Sequence, residues 1–176
     1  MRDFAVCTRC KPHTPLRHVY VAQHHTGLAK QLLHQTKYER AQAGVHEMAA
    51  MMVSLLPTTA EGIVLVPVPT ATRRVRQRGY DQSVVLAREL SRESGLPRAH
   101  FLRRVGQAHQ VGSGRKARIA HLANAFRVVR QGQLQGAHIV LVDDVITTGA
   151  TLETAAKLLK KAGAARVDAI VFSQPS

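Results

Sequence analysis

Two adjacent carboxylates, Asp143 and Asp144, are followed within a few residues by Thr147, Thr148, Gly149, Ala150 and Thr151. Hydroxyls beside a glycine suit an anion. A helix N-terminus adds unpaired backbone N–H groups and the positive end of a dipole, and glycine lets the backbone come close to a phosphate. The carboxylates would repel that same phosphate, so they need another target. Vicinal sugar hydroxyls supply one, because a carboxylate accepts their hydrogen bonds. Ribose on Asp143 and Asp144, with its 5′-phosphate on Thr147–Thr151, is a ribose-5-phosphate site.

The flanking elements must present these groups together. Ile139, Val140, Leu141 and Val142 have the length and β-branching of a strand buried on both faces. A helix is expected over 151–162, with Leu152, Ala155, Leu158 and Leu159 on its apolar face and Gly163 as its cap. Ligands of open parallel sheets bind beyond the carboxyl ends of strands, where this order of elements puts the polar groups.

A second pole is basic. Gly62–Pro67 reads as another buried strand, and Val66–Arg74 leaves it as a loop stiffened by Pro67 and Pro69. Arg73 and Arg74 are placed for phosphate, and Arg76 and Arg78 extend the charge. A helix follows over 81–93, with Asp81 as N-cap and Gly95 and Pro97 beyond its end. Upstream, apolar residues recur at threes and fours over 28–56; Gly44 is expected to weaken or divide this run and Pro57 to end it, with the methionines as core filler. Short strands are expected near 101–102, 125–129 and 167–172. The segment 106–114 has three glycines and no apolar period. With Gln110, Arg115 and Arg118 it reads as a flap able to exclude water from a labile substrate.

The 176 residues, 45% hydrophobic, suffice for one domain with its own core, and 4% aromatic content makes that core aliphatic. The run lengths exclude a membrane-spanning helix. Residues 1–6 lack the apolar stretch of a secretory signal, and the expectation is a cytoplasmic protein. The formal charge of +14 points to anionic partners, the alternative being a solvated arginine-rich surface. Residues 73–118 concentrate it, and they carry more cations than one small phosphorylated ligand needs. Single-stranded DNA is the second candidate partner, through phosphate neutralisation rather than base stacking. Cys7 and Cys10 are half of a zinc knuckle; His13, His18, His24 and His25 are the remaining candidate ligands, none at knuckle spacing. No GxxxxGK[ST] occurs, which excludes a P-loop ATPase.

Ile139–Thr151 resembles the phosphoribosyl pyrophosphate (PRPP) signature of type I phosphoribosyltransferases. With Val66–Arg74, Arg78–Gln82 and Gln110–Phe126, the chain from about residue 20 onward resembles the ComF subfamily, phosphoribosyltransferase-like proteins associated with DNA uptake. The resemblance implies an α/β fold, a mostly parallel sheet flanked by helices with a small N-terminal segment. It divides the chain into 1–26, a remnant of a zinc-knuckle segment, and 27–176, the phosphoribosyltransferase-like domain. It further implies phosphoribosyl transfer with release of pyrophosphate, Mg²⁺ carried by PRPP, and competence-machinery proteins as partners. Val68, Pro69, Thr70, Arg73 and Arg74 would bind pyrophosphate, and 105–118 would be the flexible catalytic loop. The chain departs from the family pattern at Asp81, where Asn is usual, and at Gln107, Ser113 and His121.

Overall fold

The computed structural model describes residue 6 and residues 12–24, 26–38, 42–57, 62–105 and 125–175. In chain order the elements are β1 (Leu16–His24), α1 (Gly27–Tyr38), α2 (Gln42–Val53), β2 (Ile63–Pro67), α3 (Thr72–Arg78), α4 (Gln82–Ser94), β3 (Leu102–Arg104), β4 (Phe126–Val128), β5 (His138–Val145), α5 (Ala150–Lys161) and β6 (Arg166–Gln174). Four strands form a parallel sheet in the order β1-β6-β5-β2, and β3 and β4 form a separate antiparallel ribbon. The fold is the expected α/β architecture.

The strands are apolar at consecutive positions because both faces of the sheet are covered. On β5, Ile139 and Leu141 face Leu152, Ala155, Ala156 and Leu159 of α5 and Phe126 of the ribbon. Val140 and Val142 turn the other way, toward Val45, Met48 and Met52 of α2 and Leu86 and Leu90 of α4. Their alternation follows from the two-residue period of a strand. Truncating one of these fully buried side chains, such as Leu141, to alanine would cost about 2–5 kcal/mol.

The structure adds to these expectations at three places. Leu16–His24, within the segment 1–26, is an edge strand of the main sheet, paired with β6. Its attachment is polar: buried Asp168 accepts the His18 backbone N–H at 3.1 Å, lies 2.8 Å from Nε2 of His138, and is ion-paired with Arg166 at 2.8 Å. Its hydrophobic pattern is interrupted by Arg17, His18, Gln23 and His24, of which His18 meets Asp168. The run is split into α1, ending at Tyr38, and α2, starting at Gln42; Gly44 lies just inside α2, where a Cβ would stand 2.8 Å from Cγ2 of Thr36. It permits α1 and α2 to approach. Finally, Thr72–Arg78 is a short helix rather than loop, closed by Gly79 at φ +83°.

The flap over 106–114 and the residues 115–118 assigned with it lie outside the described residues, as do Cys7, Cys10 and His25. No helix among the described residues is long and apolar enough to cross a membrane.

Candidate functional site

The loops after β2 and β5 leave neighbouring strands in opposite senses. From β5 the chain passes through α5 on one face to β6. From β2 it passes through α4 on the other face to Pro97–Ala99, which bonds to the outer side of β2 through Leu65. A crevice opens at such a switch point. Here it is a cleft of about 480 Å³, lined by the turn 68–71, Arg74, Arg78, Arg104, Asp143, Asp144, Val145, Thr147 and Thr151.

Its acidic side is the tip of β5. The backbone N–H of Asp144 donates to Oδ1 of Asp143 at 2.9 Å. Burial, and next the neighbouring Asp144 carboxylate, raise the Asp143 pKa well above the ordinary carboxylate range. A recessed carboxyl group in this state gains from any ligand that brings hydrogen-bond donors or positive charge. The chain then turns through Gly149, at φ +74°, into α5. That conformation is cheap only for glycine. The first amides of α5 have no intrahelical acceptors and face the same end of the sheet. Thr147 and Thr151 line the cleft; Thr148, Gly149 and Ala150 shape the turn without lining it.

Its basic side comes from two other elements. Arg74 and Arg78 project from α3, and Arg104 from β3. The Arg104 guanidinium sits 5.4 Å from the Phe126 ring centroid and donates to the Pro69 carbonyl at 3.3 Å. Burial and then nearby Arg74 lower its pKa from the ordinary arginine value, with Asp81 and Asp143 acting in the opposite direction. Arg73, expected beside Arg74, is exposed on α3 and does not line the cleft. Gln110, Arg115 and Arg118 lie outside the described residues.

Residues Arg78–Gln82 hold the basic side in place, each by a different bond. Gly79 ends α3. The Tyr80 hydroxyl donates to the Thr36 carbonyl of α1. Asp81 caps α4 by accepting the Ser83 backbone N–H at 3.2 Å; it also accepts the Thr70 backbone N–H at 2.9 Å and the Thr70 hydroxyl at 2.8 Å. Gln82 accepts from Arg78 at 3.0 Å and donates to the buried Thr36 hydroxyl at 2.8 Å. A carboxylate, with acceptors on both oxygens, suits position 81 better than an amide does.

Sequence reasoning missed Arg104 and Arg78 as cleft residues. Arg104 is one of two successive arginines, and only the strand period decides which faces inward. Arg78 was read as extending the charge of the preceding loop, because α3 was not anticipated.

Residues 80–175 match the phosphoribosyl transferase domain family. The described fold is similar to glutamine PRPP amidotransferase from B. subtilis, with a TM-score of 0.50 and 19% identity over 72% of this chain and 26% of that one. The chain therefore spans about a quarter of that enzyme, and the likeness is one of fold. These findings define a type I phosphoribosyltransferase-like α/β domain.

The DNA utilization protein YhgH of Salmonella typhi is 34% identical over 92% of this chain and 74% of its own length. Competence protein F of Haemophilus influenzae is 39% identical over 56% of this chain and 44% of its own. The chain belongs to the ComF family of phosphoribosyltransferase-like proteins.

Proposed function

We propose that the cleft binds PRPP and that the protein transfers its phosphoribosyl group to an acceptor, releasing pyrophosphate. The observation that carries this reading is the division of charge within one cleft. Asp143, Asp144 and the threonines stand on the β5 side, and Arg74, Arg78 and Arg104 on the other. PRPP has the same division, a ribose with a 5′-phosphate at one end and a diphosphate at the other.

Asp143 and Asp144 would accept hydrogen bonds from the ribose 2′ and 3′ hydroxyls. Thr147, Thr151 and the first amides of α5 would hold the 5′-phosphate. The turn Val68–Pro69–Thr70 and the three arginines would hold the diphosphate. In the reaction the C1–oxygen bond to diphosphate breaks, with the electron pair leaving on diphosphate. A lone pair of the acceptor forms the new bond to C1, and the acceptor's proton passes to solvent. The transition state carries positive charge on the sugar and growing negative charge on the leaving group. Catalysis by this chain is therefore positioning and charge stabilisation. The carboxylates of Asp143 and Asp144 and the substrate's phosphates are hard oxygen donors of the kind Mg²⁺ prefers, and Mg²⁺ carried by PRPP would neutralise part of the diphosphate charge.

A thermal-shift titration with PRPP and Mg²⁺ tests binding, since a ligand held only by the folded chain raises the melting temperature. Release of labelled pyrophosphate in the presence of candidate acceptors tests transfer. No shift at millimolar PRPP would end the proposal; a shift without release would leave binding without catalysis.

That outcome is the second reading, a PRPP-sensing protein that binds single-stranded DNA and acts with competence machinery. The formal charge of +14 and the relatives named for DNA utilization and competence favour it. Salt-dependent binding to a single-stranded oligonucleotide, measured with and without PRPP, tests it directly.

A further inference from the structure

The β3–β4 ribbon carries its positive charge on two sides. Successive residues of a strand point to opposite faces, and here Arg104 enters the cleft while Arg103 does not. Arg103 pairs directly across the ribbon with Arg127, and both are exposed. Like charges directly opposite each other on antiparallel strands are destabilising. The arrangement costs the fold something and returns nothing to the cleft.

Beside this pair lies a groove of about 490 Å³ between the ribbon and the end of α5. Arg127 and Lys161 contribute its cations, and Val105, Leu158 and Ala162 contribute apolar surface. Exposed Arg130 follows at the end of β4. Anionic groups are scarce here. Among the described residues, α5 contributes Glu153, and its carboxylate lies 2.6 Å from Lys157. The opposite face of the sheet is different: on α4, Glu89 lies 3.0 Å from Arg88 and 3.1 Å from Arg92. Net positive charge is therefore left over on the ribbon side.

We infer that the groove lined by Arg127 and Lys161, with exposed Arg103 and Arg130 on the neighbouring ribbon surface, is the track for a single-stranded nucleic acid, an inference that rests on the nucleic-acid reading above and gives it a location. The cations suit a chain of phosphates. The apolar wall of Val105, Leu158 and Ala162 suits the apolar surface of sugars and bases that a single strand leaves exposed, by contact rather than by aromatic stacking. A second copy of this chain is disfavoured as the occupant, since two +14 surfaces repel.

The test is fluorescence anisotropy with a labelled mixed-sequence single-stranded oligonucleotide across a salt series. It compares the wild type with Arg103→Ala/Arg127→Ala and with Arg88→Ala/Arg92→Ala as control. Each phosphate contact contributes about 0.7 to the log–log salt slope for single strands, so the ribbon variant is expected to lose about 1.4. The control should keep the wild-type slope. Removing a like-charge pair should leave the melting temperature unchanged or higher; a lower one would call for Arg103→Gln/Arg127→Gln, which keeps side-chain length. A wild-type slope in the ribbon variant would overturn the location while leaving nucleic-acid binding intact. Absence of salt-dependent binding by the wild type would overturn both. Equal affinity for a duplex of the same sequence would overturn the single-strand assignment.

Discussion

Replacing Asp81 by alanine should destabilise the protein and loosen the diphosphate side of the cleft together. In the folded chain the Asp81 carboxylate accepts the Ser83 backbone N–H, the Thr70 backbone N–H and the Thr70 hydroxyl. Loss of an N-cap costs about 1 kcal/mol. The Thr70 amide, half-buried and left without its charged acceptor, adds about 1–3 kcal/mol, reduced where water can reach it. A total near 3 kcal/mol, at about 2–4 °C per kcal/mol for a chain of this size, lowers the melting temperature by roughly 6–12 °C. Asp81→Asn should cost less, about 1 kcal/mol. An amide keeps one acceptor, and in either orientation its NH₂ confronts a backbone N–H. Differential scanning fluorimetry of wild type, Asp81→Asn and Asp81→Ala measures the series. Repeating it with PRPP asks whether the ligand-induced rise shrinks along with it, as it must if Thr70 lines the diphosphate position. An alanine variant melting with the wild type would refute the account of Asp81 as a lock between α4 and the cleft.

The other predictions concern the cleft and one helix contact. Asp143→Asn with Asp144→Asn should abolish the PRPP-induced thermal shift while the apoprotein stays folded, and a retained shift would remove the ribose assignment. The Asp143 pKa is raised in the folded state, so its contribution to stability is fully present below the unfolded value of about 3.9 and is lost as pH rises through the folded value. Denaturant titrations of the apoprotein should therefore show stability falling over that window, and Asp143→Asn should flatten the fall. Arg104→Ala should weaken binding of PRPP and of inorganic pyrophosphate, while ribose 5-phosphate binding stays near wild type; equal loss for all three in calorimetry would place Arg104 elsewhere. Gly44→Ala forces a methyl group to within 2.8 Å of Thr36 Cγ2 and should cost about 1–3 kcal/mol by chemical denaturation. Thr36→Ser, which removes that methyl, should restore most of the loss.

What the amino-acid order determined by itself is local. An unbroken apolar run ending in Asp143 and Asp144, then hydroxyls, glycine and a helix, specified a buried strand with a polar turn at its tip, because backbone geometry links those elements over short distances. The cap at Asp81 and the stop at Gly95 were legible for the same reason, and both are present. Tertiary packing decided the rest. Leu16–His24 becomes a strand because it pairs along its length with β6, far along the chain, where Asp168 also accepts the His18 backbone N–H. Gly44 is small because α1 lies against it, a fact that no window of sequence around Gly44 contains. Above all, Arg74, Arg78 and Arg104 oppose Asp143 and Asp144 because β2 pairs with β5 and the ribbon folds over their ends. The chemistry of each turn is written in neighbouring residues, whereas which turns share a cleft depends on strand order.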